Sequence, residues 1–139
     1  MGYQGVRDAS LSLSLALSAG NATTQSATGL DVAYNSGFGQ YSPSGDGDFL
    51  AEIPALTTVQ LPDNAQIIVN VIASNSPNMA SPVVVGTVAT LVGSGGAGTP
   101  AVNSRFRPAS GCLRYLGLQC IGSGSPAAGG AIALLTFTN

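Results

Sequence analysis

The chain has no lysine, no histidine and no tryptophan, and only four arginines, Arg7, Arg105, Arg107 and Arg114. Each absence excludes something. Without histidine the commonest general base and metal ligand is missing, and the abundant serines have neither histidine nor lysine to activate them. Four cations against six acids give a net charge of −2, so there is no basic stripe to displace counterions from nucleic acid, and none is expected as a partner. No run of about 18 apolar residues is present, so no membrane-spanning helix is expected. These absences point away from an enzyme, and no cofactor is expected.

Charge of either sign is scarce. Charged residues are 7% of the chain, against roughly 25% in an average soluble domain. Protein contact surfaces are depleted of charge at their centres. Two readings follow with equal weight: a surface largely covered by partners, or a compact neutral β protein of extracellular type. The 139 residues suit one domain that buries roughly two-thirds of its unfolded surface.

Two cysteines are present, Cys112 and Cys120. On one extended strand their Cα atoms would lie roughly 26 Å apart, far beyond the roughly 7 Å limit of a disulfide. They are read as free, buried thiols, consistent with assembly inside a cell.

What is present is alternation. Leu11, Leu13, Leu15 and Leu17 share one parity with serine and alanine between them, the period of a half-buried strand. A secretory signal is a competing reading of this stretch, but the serines break the apolar core and Asp8 stands where positive charge is wanted. Residues 1–10 show no periodicity and are read as an N-terminal arm before a domain spanning 11–139. Residues 21–29 read as a loop, 30–34 as a short strand, 55–61 as a strand, and 66–73, rich in β-branched residues, as the strongest central strand. Strands follow at 83–92 and 101–108, the latter carrying Arg105 and Arg107 on one face as surface anchors or an ordinary solvated face. The last two apolar runs, 113–121 and 131–137, flank a Gly/Ser/Pro turn and read as a closing hairpin in the core. The whole predicts an all-β, single-domain jelly roll or β-sandwich of about eight antiparallel strands.

Between 35 and 48 runs a long glycine-rich stretch, and loops of that length are usually functional. It carries Phe38 and Tyr41, with Phe49 at its end. These aromatics, with Tyr3 and Arg7 of the arm, are the candidates for contact with another chain; the alternative for the aromatics is that they fold back over a barrel end. Asp46 and Asp48, with Glu52, offer oxygen ligands to Ca²⁺, but the full loop spacing is absent and a solvated turn accounts for them. Gly93, Gly95 and Gly98 match G-x-G-x-x-G, but Thr99-Pro100 and a β-like segment follow where a helix would have to hold phosphate. Asn21-Ala-Thr23 matches a glycosylation acceptor, which matters only to a secreted chain.

Arg114-Tyr-Leu-Gly-Leu118, a Gly/Ser turn, and then Ala128-Gly-Gly-Ala-Ile-Ala-Leu134 resemble the C-terminal R-Y-L-x-L … G-x-x-A strand pair of the capsid cement (decoration) proteins of tailed phages. An early serine–leucine strand and the run at 67–72 resemble the same family more loosely. The resemblance implies a jelly-roll protein on the outer surface of an icosahedral phage head, assembled in the host cytoplasm. It would sit over junctions of the major capsid protein, as a dimer or trimer of itself, and staple the shell against internal pressure. Arg114 and Tyr115 would serve the fold more than the contact, and no catalytic residue carries over. Gly117 stands where the family pattern often has a larger residue. The rival reading is a carbohydrate-binding β-sandwich or tail-fibre domain, which the missing tryptophan disfavours.

Overall fold

A computed structural model describes residues 7–31, 48–106 and 115–138. Among these, nine strands and no helix are found: β1 Arg7–Ala16, β2 Thr23–Gln25, β3 Leu30–Asp31, β4 Asp48–Ile53, β5 Gln66–Ser74, β6 Val83–Val92, β7 Val102–Phe106, β8 Tyr115–Ser123 and β9 Ile132–Thr138. They form two antiparallel sheets, ordered β1-β9-β4-β7 and β2-β8-β5-β6, with β3 also on β8.

The pairing is nested. β1 pairs with β9, β2 and β3 with β8, β4 with β7, and β5 with β6. The chain is therefore one long hairpin folded at residues 75–82 and rolled up, with β4 added to β9 and β5 to β8. This is the jelly-roll topology, with the second arm from the outside broken into the short β2 and β3. The fold expected from the sequence is the fold observed.

The core lies between the sheets. Ile67, Val69, Val71 and Ala73 of β5, Leu116, Leu118 and Cys120 of β8, Ala133 and Leu135 of β9, and Phe49, Ala51 and Ile53 of β4 all point inward and are buried. On β1 the expected parity holds: Leu13 and Leu15 pack against the core and Leu17 is buried, while Ser12 and Ser14 are exposed. Alternate positions on facing strands fill one layer, which is why period-two patterning located β1 and β8.

Several expectations are corrected. Residues 113–121 and 131–137 do not form a hairpin. β8 lies at the centre of one sheet and β9 at the centre of the other, joined by a crossing over residues 124–131. Alternation reports an inner face and does not say which sheet supplies the partner. The arm is shorter than 1–10, because β1 starts at Arg7, with Arg7 opposite Thr138 and an irregularity between Asp8 and Ser12. The stretch 21–29 contains β2, which pairs with β8. Residues 55–61 are not a strand. A turn closes there through Leu61 N–H donating to the Thr57 carbonyl and the paired Thr57 and Gln60 side-chain bonds. The strand of this region is β4, whose inward Phe49, Ala51 and Ile53 were hidden by reading Phe49 as the end of a loop.

Candidate functional site

The jelly roll has two unlike ends. One is built from the connections 17–22, 54–65, 93–101 and 124–131, and these are cross-tied. Gly20 N–H donates to the Pro126 carbonyl at 2.6 Å, Ala127 N–H to Gln60 at 2.8 Å, and Ala128 N–H to Ser18 at 3.0 Å. Leu56 and Thr99 exchange both backbone bonds. Asp63 accepts from Gly96 N–H at 2.9 Å, and the Thr58 hydroxyl donates to the Gly96 carbonyl at 2.7 Å. Gly98 shows why this end is so closely knit: its φ is +65° and a Cβ there would stand 2.1 Å from the Leu56 carbonyl oxygen, so only glycine fits. The G-x-G-x-x-G run is thus a tie between connections, and β7 follows it, as the sequence implied.

The other end carries the charge. Arg7, Thr138 and Asp48 stand in one row across β1, β9 and β4. Asp8, Phe137, Phe49 and Phe106 form the next row. In the second sheet Asp31, Tyr115 and Ser74 stand in line. Arg105 sits one position from the end of β7 and is exposed. Asp46, Arg107 and Arg114, outside the described residues, are within two positions in sequence of strand ends at this same end. Of the remaining charged residues, Glu52 is within β4 and Asp63 at the cross-tied end. Among the described residues, the scarce charge is thus collected mainly at one end.

The sequence-derived contact candidates divide accordingly. Arg7 is placed at this end. Tyr3, Phe38 and Tyr41 lie outside the described residues, but their segments join the described chain here, at Arg7, Asp31 and Asp48. Phe49 is corrected: it is 1% exposed and belongs to the core, held inward by the parity of β4, so it anchors the sandwich and is not available to a partner. Arg107 lies outside the described residues, so a shared face with Arg105 is not described.

No protein-family model, no curated protein and no solved structure matches this chain. The fold follows from its own strand pairing.

Among the described residues no group of three or more His, Cys, Asp or Glu side chains is arranged to hold a metal ion, and no helix is long and apolar enough to cross a membrane. Asp46 lies outside them, so the Asp46/Asp48 cation reading gains no geometry. Cys120 is a free, buried thiol on the inner face of β8, and burial pushes its pKa from 9.0 up to about 12. Its thiolate is thereby suppressed at neutral pH, the reverse of a nucleophile's setting. Cys112 lies outside the described residues.

The sequence reading missed a polar row on the outer face of the second sheet. Gln25, Gln119, Asn70 and Thr87 are consecutive partners across β2, β8, β5 and β6. Asn70 donates from Nδ2 to Gln119 Oε1 at 3.2 Å and accepts at Oδ1 from the Thr87 hydroxyl at 2.7 Å. Gln25 Nε2 donates to the Met79 carbonyl at 3.4 Å. The signal in the sequence was Asn70, an amide in the middle of an otherwise apolar β-branched strand.

Proposed function

We propose that this chain is a structural virion protein that binds the outside of a phage head and staples neighbouring major capsid subunits. The observation that carries the reading is the two-ended build. A rigid jelly roll is cross-tied at one end, while its mixed charges and the chain leading to Tyr3, Phe38 and Tyr41 meet at the other. An end with both signs of charge matches a capsid surface of both signs. Several segments leaving one rigid base can each touch a different subunit, and joined contacts multiply affinity through effective concentration. About 800 Å² per partner suffices for a specific interface, which short segments can supply together. The resemblance of the Arg114–Leu118 and Ala128–Leu134 stretches to the cement proteins of tailed phages supports the same reading, and with it the outer virion surface as the location, reached after assembly in the host cytoplasm.

The test is occupancy on expanded heads lacking the protein. A deletion of residues 1–6, which leaves β1 intact, and the double change Phe38→Ala, Tyr41→Ala are each expected to lower occupancy severalfold, with the melting temperature of the free protein little changed. Full occupancy by both variants would sink the contact assignment. Binding of the intact chain to a glycan array, with none to heads, would replace the reading with a carbohydrate-binding one.

A further inference from the structure

The connection between β5 and β6, residues 75–82, leaves β5 at Ser74, opposite Tyr115, at the charged end. It seats where the strand paired to β8 is broken. β2 stops at Gln25 and β3 starts at Leu30, and in the gap the Ser26 hydroxyl stands in for a ladder group, accepting from Leu118 N–H at 3.0 Å. Gly29 and Gly117 leave the outer face of the sheet bare here. Met79 lies on that floor, its Sδ beside Gly29 and its Cε beside Gly117. Gly29 N–H donates to the Pro77 carbonyl at 2.9 Å, so this amide is bonded to the connection and not to a strand.

The connection is a unit of its own. The Ser76 N–H and the Ala80 carbonyl both bond the Ser74 hydroxyl, Met79 N–H donates to the Ser76 carbonyl, and Ala80 N–H donates to Asn78 Oδ1. All of these bonds survive if it lifts. Among the described residues, Gln25 and Gly29 supply its hydrogen bonds to β2 and to the residue before β3. Met79 and Ser81 both hold left-handed φ, +59° and +48°, a strain that opening relieves. The closed state is thus held mainly by one buried, flexible side chain, and units of this kind open locally while a core stays closed. We propose that 75–82 is a latch. It opens while the sandwich stays folded, and when closed it clamps Gly29 and so fixes the root of the segment that leaves at Asp31 towards Phe38 and Tyr41. β3 has two residues and one buried side chain, Leu30, so the clamp on the preceding Gly29 is a large part of what orders it. The part given to that segment rests on the capsid reading, whereas the latch stands on its own bonds.

Amide hydrogen exchange of the intact chain, read by NMR and corrected for intrinsic rates, separates the two. Gly29 N–H, bonded to Pro77, reports the latch, and Leu118 N–H, bonded to Ser26, reports the sheet beneath it. Gly29 is expected to exchange at least about tenfold faster than Leu118, with a weaker dependence on denaturant because less surface is exposed. Met79→Ala is expected to raise the Gly29 rate by about tenfold or more, since a buried side chain is lost, with an unchanged circular dichroism spectrum. The same variant is expected to lower occupancy on heads severalfold. Equal rates and equal denaturant dependence at Gly29 and Leu118 would mean that 75–82 opens only with the sheet, which overturns the latch. Met79→Ala with wild-type exchange at Gly29, or with full occupancy on heads, overturns the clamp. A wild-type chain whose latch opens as described but which leaves heads unoccupied counts against the capsid reading alone.

Discussion

At the scale of single residues, burial decides more than residue type. Phe49, an aromatic at the end of a glycine-rich run, invites a functional reading from sequence, whereas Cys120 reads as a free, buried thiol. Both belong to the core, at 1% and 0% exposure. For Cys120 the consequence is measurable. Burial favours the neutral thiol, so its folded pKa of about 12 exceeds the unfolded 9.0. Above the unfolded value the unfolded chain loses this proton while the folded chain keeps it, so this group's contribution to stability falls as pH rises from about 9 towards 12 and is constant below that window. In a Cys112→Ala background, a thiol reagent at neutral pH is expected to leave the native protein unlabelled and to label it fully in denaturant. Rapid native labelling would show that the interior opens at β8.

At the scale of elements, Met79 holds the 75–82 connection onto the outer face of the second sheet. It is 1% exposed with φ at +59°, a left-handed conformation that costs a non-glycine residue roughly 1–3 kcal/mol. The seat is made by two glycines. A Cβ at Gly117 would stand 3.0 Å from Met79 Cε, and one at Gly29 would stand 2.5 Å from Met79 Sδ and 2.8 Å from the Tyr115 Cβ. The nearest contact at Gly117 is with the end of a flexible side chain, which can move, with the fixed Cβ of Ser26 at 3.2 Å beside it, whereas Gly29 meets the fixed Cβ of Tyr115 more closely, at 2.8 Å. Gly29→Ala is therefore expected to destabilise by about 1–3 kcal/mol, in the range of overpacking, and Gly117→Ala by less. Adding Met79→Ala should remove most of the Gly117→Ala penalty and only part of that at Gly29, read from melts in a double-mutant cycle. The space beside Gly117 is taken by Met79 and Ser26.

The same elements show what the sequence could reveal. The leucine parity of β1 was legible because one face of it meets the core and the other does not, and β5 because its β-branched run suits a central strand, which here is buried on both faces over most of its length. The partnership of β8 and β9 was not, because two strands separated by a short glycine-rich turn look alike whether the turn folds back or crosses between sheets. β2 was too short and polar to register, and β4 was masked by the long stretch before it. The candidate site was legible only in part. Arg7 falls at the charged end, but the gathering of Arg7, Asp8, Asp31, Asp48 and Arg105 there is a product of the nested pairing, since these residues span most of the chain.

At the scale of the whole molecule, the two ends and the two sheets have separate characters, which makes the electrostatic part of capsid binding separable from the rest. Contacts through the charged end are screened by salt over a Debye length of about 10 Å at 0.1 M, whereas apolar contacts of aromatic anchors are not. Occupancy on heads is therefore expected to fall on going from low to high salt without vanishing. Charge removal should then act by position. Asp31→Asn with Asp48→Asn is expected to flatten the salt dependence, because it removes acids at the charged end. Asp63→Asn is expected to leave that dependence unchanged while lowering stability, because Asp63 serves Gly96 at the opposite end. A salt dependence that followed Asp63, or one indifferent to both changes, would mean that the capsid is gripped through another surface.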